Sequence, residues 1–237
     1  MPISKLFRDI SRDLFQLFYP NTCIACAKVL DRDLVFCPQC QFSLPFTGFE
    51  ENIKQNDFAN RLKNRIEFEG CSALFWYVKA SRVQKMVHKL KYKDRPDIAK
   101  ILGKLAGDLW SNHLNGIDYL VPIPLHKERQ KWRGYNQSEE FAKGISDVTN
   151  IPVNTSILFR DIHTSTQTNK NTAQRMQNVL EIFSVKSSKS LENKHLLLLD
   201  DVVTSGATFD AAANTLLNNY KNVKISCGAI AIADHWA

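Results

Sequence analysis

A strand that is apolar on every residue has water on neither face, and this chain carries several such runs. HLLLLDDVV (195–203) and VKISCGAIAIA (223–233) are the plainest, and TFDAAANTLLNNY between them reads as a helix. IDYLVPIP (117–124), IPVNTSILF (151–159), VLEIFSV (179–185) and CSALFWYVKA (71–80) read as further strands, with another helix expected from about Asn136. Unbroken apolar strands alternating with helices predict an α/β fold, a parallel sheet flanked by helices on both faces. A chain of 237 residues is long enough to bury such a core. In open sheets of this kind ligands bind beyond the C-terminal ends of the strands, so the residues that follow each apolar run are the ones to question.

The run at 196–199 ends in Asp200 and Asp201, and Thr204-Ser205-Gly206-Ala207-Thr208 follows before the helix. A turn in that place exposes successive backbone N–H groups at the positive end of a helix dipole, which makes a cradle for an anion. Gly206 permits positive φ and close approach, and Thr204, Ser205 and Thr208 add hydroxyls. Two carboxylates would repel a bare anion. They make sense where the anion is a phosphate attached to something whose hydroxyls donate to them, or where they help hold Mg2+. The stretch therefore asks for a ribose bearing a 5-phosphate. The plainer alternative is a capped helix with an ordinary turn Asp; two acids, three hydroxyls and one glycine make it the weaker of the two. Neither G-x-x-x-x-G-K nor G-x-G-x-x-G occurs, so the cradle is no P-loop.

Cys23, Cys26, Cys37 and Cys40 fall in the pattern C-x2-C-x10-C-x2-C. Each pair sits on a tight turn that can aim two thiolates at one ion, and two such knuckles complete a tetrahedral four-sulfur site for structural Zn2+. A closed shell of four thiolates has no open position, so the zinc is expected to fold the segment and not to catalyse. Two disulfides or a redox pair are the competing readings, and the expected reducing compartment disfavours both. Cys71 and Cys227 lie in apolar runs and are expected in the core.

The N-terminal stretch MPISKLFRDISRDLFQLF repeats apolar residues at helical spacing, with charges between them. It reads as an amphipathic helix that packs on something nearby or lies on a membrane surface, and it lacks the apolar core of a signal peptide. With no apolar run long enough to span a bilayer, a cytoplasmic protein is expected. The domain boundaries that follow are 1–46 for helix plus zinc ribbon, 47–70 for a polar linker with a short helix in FANRLKNRIEF, and 71–237 for the sheet domain.

Net charge is +7, and Lys79–Lys104 holds nine basic residues against Asp94 and Asp97, a surplus as large as the whole chain's. On a helix over 81–93, Arg82, Lys85, Lys89 and Lys93 form a stripe opposite Val83, Met86, Val87 and Leu90. Lys85, Lys89, Lys91 and Lys93 with Tyr92 suit the backbone and bases of a nucleic-acid strand; a solvated helix face is the bland alternative. His126, Lys127, Arg129, Lys131 and Arg133 crowd a loop after VPIP, where Gly134 and a helix capped at Asn136, with Glu139 completing a capping box, can add donors. His88, His126 and His235 are the candidate bases, and Trp236 is placed to stack on an acceptor.

LLLLDDVVTSGAT resembles the phosphoribosyl pyrophosphate (PRPP) motif of type I phosphoribosyltransferases. With the four cysteines, HKLKYKDRPDIAK, VPIPLHKERQKWRGYNQ and TSTQTNKNTAQRMQNV, it occurs in the order seen in the ComF family of competence-associated, phosphoribosyltransferase-like proteins. Ser205 stands where that family often has Thr, and Tyr135 where it often has Phe; hydroxyl and ring are kept. The resemblance implies a type I phosphoribosyltransferase-like sheet domain behind a four-cysteine zinc ribbon, and a PRPP site loaded with Mg2+. By it, Asp200 and Asp201 contact the ribose and Thr204–Thr208 hold the 5-phosphate. Pyrophosphate sits by the VPIP loop, with Arg129 and Arg133 the basic residues expected to reach it. Thr164, Gln167, Arg175 and Asn178 lie in a mobile lid. Two functions follow. One is phosphoribosyl transfer to an unknown acceptor in DNA uptake. The other is single-stranded DNA binding, or a scaffold for DNA-uptake proteins, with the PRPP site vestigial or regulatory; a homodimer fits either.

Overall fold

The computed structural model describes residues 21–30, 34–160, 183–185 and 191–234. The chain divides into two compact units, Met1–Pro45 and Phe46–Ala237. The first, in its described part, is a turn closed by a bridge between Thr22 and Val29, followed by α1 (Pro38–Ser43), which Pro38 opens. The amphipathic N-terminal helix expected before Asn21 lies outside the described residues.

The second unit begins with a 3-10 turn, Phe49–Glu51, and α2 (Asp57–Leu62). Then come β1 (Gly70–Tyr77), α3 (Arg82–Tyr92), α4 (Pro96–Leu109), β2 (Tyr119–Pro122), α5 (Lys127–Arg133) and α6 (Gln137–Thr149). β3 (Leu158–Arg160), β4 (Phe183–Val185), β5 (His195–Val203), α7 (Ala207–Asn219) and β6 (Lys224–Ala233) complete it. Four strands form one sheet in the order β1-β6-β5-β2, and every pairing is parallel. β5 and β6 are central, which is why their sequences are apolar on both sides.

The leucines of β5 divide between the faces. Leu196 and Leu198 join Phe209, Ala212 and Leu216 of α7 in one core. On the other face Leu197 and Leu199 lie over Gly228, where a side chain would also meet Trp110. Trp110, just past α4, packs edge-on against Phe141 of α6 with ring centroids 6.0 Å apart. α4 and α6 touch backbone to backbone: a Cβ on Gly103 would lie 2.1 Å from the Phe141 carbonyl oxygen. The expected parallel sheet flanked by helices is therefore what the chain forms.

Two local expectations are corrected. The strand over 151–159 does not form as one piece. Val153 makes a single parallel bridge to Leu120, and the chain then turns, because Asn154 Oδ1 accepts from Ser156 N at 3.0 Å. β3 pairs instead antiparallel with β4 in a separate ribbon, so VLEIFSV contributes Phe183–Val185 and no strand to the main sheet; residues 179–182 lie outside the described ones. The basic loop after VPIP is a helix, α5, closed by Gly134 at φ 81°. That glycine was read as a backbone donor; it is the helix stop.

Candidate functional site

The four cysteines of the first unit converge. Ala27 N donates to Cys23 O at 2.8 Å and Gln41 N to Cys37 O at 2.9 Å, closing the two knuckles. All four Sγ atoms lie within 4.8 Å of one another, and Cys26 Sγ is 3.7 Å from Cys37 Sγ. The edge of a tetrahedron with Zn–S bonds of about 2.3 Å is about 3.8 Å, so the cage fits that ion. Burial opposes a thiolate at Cys23, but N–H groups of Cys37, Cys26 and Ala25 outweigh it and bring that thiol down to about 6. Cys40 is pushed the other way, by burial first and then by the neighbouring thiols. Four thiolates this close need a cation to ionise together. Cys71 and Cys227 face each other across β1 and β6 in the core, as expected.

In the second unit, Asp200 and Asp201 lie near the C-terminal end of β5, followed by Val202 and Val203. Asp200 Oδ1 accepts from Ser138 Oγ at 3.0 Å and from Asp201 N at 2.8 Å. Asp200 keeps part of its surface open yet lies deep among protein atoms. Burial, and after it the charge of Asp201, push its carboxyl up to about 7. Asp201 is buried and ion-paired to Lys91 Nζ at 3.0 Å. Lys91, expected among the residues that suit a nucleic-acid strand, turns its ammonium instead onto the acid of the strand end.

The turn after β5 has Gly206 at φ 79°, the N-cap of α7, with no side chain capping it. α2 sits against its outer edge. Arg61 donates to the carbonyls of Thr204 and Ala233, and to that of Val203 at 3.5 Å. Arg65 donates to Ser205 O at 2.8 Å and pairs with Asp210 Oδ2 at 2.7 Å. Thr204 and Ser205 are exposed, and Gly206 is buried beside Leu62.

The basic segment splits in two. Arg129 and Trp132 are exposed on α5, whereas Arg133 turns inward to donate to Gln137 Oε1 at 2.6 Å and lies over the Tyr92 ring at 5.9 Å. Asn136 caps α6 through Ser138 N at 3.1 Å and donates to Ile123 O at 3.0 Å. Glu139 does not close a capping box; it pairs with Lys143 at 2.8 Å. Fully buried Gln137 keeps its Nε2 without a partner among the described residues. Arg160 of β3 lies where burial lowers its pKa, Asp200 opposes that fall and Arg129 adds to it. Asp200, Arg129 and Arg160 therefore share one neighbourhood, although they come from three separate elements.

A cavity of about 750 Å3 opens between α3 and the ends of β1 and β5. Tyr77, Val202 and Thr204 line it from the strand ends, and Lys85, Lys89, His88, Lys91 and Tyr92 from α3. His88 and Tyr92 have ring centroids 4.7 Å apart, and Tyr92 and Trp132 5.9 Å. Lys93, just past α3, is exposed. Ala207 and Thr208 open α7 half-buried. His126 caps α5. Thr164, Gln167, Arg175, Asn178, His235 and Trp236 lie outside the described residues. Sequence reading missed Arg61, Arg65, Ser138 and Arg160. Only Ser138 carried a signal, as a hydroxyl in the first turn of a helix that follows a strand.

No family model matches the chain. Among curated proteins it is 26% identical over 200 residues to "Competence protein F" of Haemophilus influenzae, covering 82% of this chain and 83% of that one. It is 26% identical over 202 residues to "DNA utilization protein YhgH" of Escherichia coli K12, covering 83% and 84%. To "Competence protein ComFC" of Bacillus subtilis it is 36% identical over 107 residues, 45% of this chain and 41% of that one. Similar solved structures include the glutamine PRPP amidotransferase of B. subtilis (TM-score 0.41, 20% identity, 59% of this chain and 30% of that one). Another is the adenine phosphoribosyltransferase of Leishmania tarentolae (TM-score 0.36, 10% identity, 76% and 89%). The relatives bear out the resemblance to the ComF family. No helix among the described residues is long and apolar enough to cross a membrane.

Proposed function

We propose that this chain binds PRPP with Mg2+ at the C-terminal end of β5, in the service of DNA uptake or utilisation, with phosphoribosyl transfer as the chemistry the site supports. One observation carries it. Two acids near a parallel strand end stand two residues before a turn whose carbonyls are taken from behind, beside a cavity large enough for a phosphorylated sugar. Asp200 and Asp201 accept from the ribose hydroxyls, and the amides of Ser205 and Gly206 with the hydroxyls of Thr204, Ser205 and Thr208 take the 5-phosphate. Arg129, Arg133 and Arg160 supply the positive potential for pyrophosphate. Asp200 and Asp201 are the residues that would hold Mg2+ brought with PRPP, and its charge would help neutralise the departing pyrophosphate. In transfer the bond from ribose C1 to pyrophosphate breaks, positive charge develops on the ring, and the acceptor bonds at C1. The protein's part is to pin both ends of the ligand while that charge forms. Lys91 must release Asp201, or share it, when ligand enters.

Calorimetric titration with PRPP and Mg2+ tests this. Heat is expected from the parent, and a loss on the order of 100-fold in affinity from Asp200→Asn/Asp201→Asn, since two charged acceptors are removed. A parent that gives no heat ends the proposal.

The ring series His88–Tyr92–Trp132 favours a second reading, in which bases of single-stranded DNA stack there while Lys85 and Lys89 follow the phosphates. Binding of a fluorescent oligonucleotide should then weaken steeply with salt and fall in Trp132→Ala and in Lys85→Glu/Lys89→Glu. Unchanged affinity in both variants removes it.

A further inference from the structure

We infer that Arg61 and Arg65 are positioning residues for the phosphate turn: α2 grips the turn by its carbonyls and thereby aims its amides. The inference rests on the phosphate reading of that turn and adds residues that the PRPP motif itself does not contain.

α2 is fixed before it reaches the turn. Asn56 caps it by accepting from Ala59 N at 2.9 Å, and the same side chain donates to Cys71 O of β1 at 2.9 Å. Phe58 and Leu62 are fully buried, and the Phe58 ring meets Phe209 of α7 edge-on at 5.0 Å. The helix is thus seated on both β1 and α7, the helix that follows the turn. From this base Arg61 takes Thr204 O and Ala233 O, tying the turn to the end of β6. Arg65, in the turn that follows α2, takes Ser205 O at 2.8 Å and Arg61 O of the helix at 3.2 Å, and its other edge is held by Asp210 at 2.9 and 2.7 Å.

A trans peptide points its C=O and N–H in opposite directions. With the carbonyls of Thr204 and Ser205 drawn toward α2, the N–H groups of the same two peptides, those of Ser205 and Gly206, are turned away from it. The positive φ of Gly206 then brings consecutive amides to one side, the geometry of an anion nest. The pair also brings charge. Arg61 donates to the carbonyls of Val203, Thr204 and Ala233, and among the described residues no carboxylate forms an ion pair with its guanidinium; Asp57 and Asp234 act on it at a distance. A guanidinium behind the turn raises the potential felt by a phosphomonoester in front of it without occupying its place. Arginine suits the task because its planar fork serves two carbonyls at once.

The test compares the parent with Arg61→Ala/Arg65→Ala and Arg61→Lys, first without ligand and then with two probes, ribose 5-phosphate and magnesium pyrophosphate. Without ligand, amide hydrogen exchange at Ser205 and Gly206 should quicken at least about tenfold in the double variant while the β5 and β6 amides keep their protection. With probes, affinity for ribose 5-phosphate should fall about tenfold or more and recover in part in Arg61→Lys, while that for magnesium pyrophosphate is unchanged. Equal loss for both probes, or parent-like exchange at the two amides, overturns the inference. If the double variant does not fold, Asp210→Asn, which keeps an oxygen for Asn214 but loses the ionic hold on Arg65, should quicken the same two amides; no change there is equally fatal. A parent that ignores ribose 5-phosphate sinks the phosphate reading alone, since the ligand-free exchange still decides whether α2 orders the turn.

Discussion

The two candidate sites gather their ligands in opposite ways. The cysteine cage is local: two knuckles, each within four residues, meet across a short connection, and Sγ atoms within 4.8 Å of one another complete it. The acidic site is assembled from far apart. Asp201 meets Lys91, Asp200 meets Ser138, and Ser205 meets Arg65 across 140 positions of sequence. The difference shows in protonation. Local N–H groups bring Cys23 down to about 6, whereas the buried strand end pushes Asp200 up to about 7. A local cage depends on its ion for stability. A site at the mouth of a sheet inherits rigidity from the core and bears the cost of holding charge there.

The comparison breaks most visibly at the metal. Cys40→Ser, or strong chelation, should cost the first unit its zinc and its order, because apparent zinc binding in small four-ligand modules is worth about 10 kcal/mol or more. Native mass spectrometry should find one zinc per chain in the parent and none in the variant, with the sheet's circular dichroism and thermal transition kept. Loss of the sheet with the metal would mean that the two regions are not independent.

A second, smaller effect belongs to Asp200. Its folded pKa of about 7 lies above the ordinary value of 3.8, so the folded state holds a proton that the unfolded chain gives up between those limits. That contribution to stability is full below about pH 4 and disappears as pH rises through about 7. Asp200→Asn should therefore gain on the parent from pH 5 to pH 8, by on the order of 1 kcal/mol, or a few degrees in Tm for a chain of this size. A variant-minus-parent difference independent of pH contradicts the raised carboxyl. PRPP affinity should rise over the same interval, since the ribose hydroxyls need the ionised acceptor.

The smallest effect sharpens the turn. Gly206 sits at φ 79°, and a Cβ there would lie 3.0 Å from Leu62 Cδ2. Gly206→Ala should cost about 1–2 kcal/mol in thermal or chemical unfolding, from left-handed strain plus the contact with α2. A neutral result would show that the turn is freer than its clamp suggests.

Much of this was legible in the residues. Unbroken apolar runs specify a doubly covered parallel sheet, because only there can strands of that composition hide both faces. C-x2-C spacing specifies a thiolate cage, because four sulfurs at two turns have few other uses. Acids followed by a hydroxyl turn mark the strand end at which we propose a phosphorylated sugar. IPVNTSILF misled because apolar content says nothing of Asn154, whose side chain turns the backbone out of the sheet. The basic segment misled because charge hides helical spacing until Gly134 closes it. Only the folded molecule decided that Arg61 and Arg65 stand behind the turn after β5, that Lys91 lies on Asp201, and that Arg160 comes within reach of the charge of Asp200. Periodicity and turn chemistry act over a few residues, whereas these partners are set by strand order and register, which bring together side chains that share no local pattern.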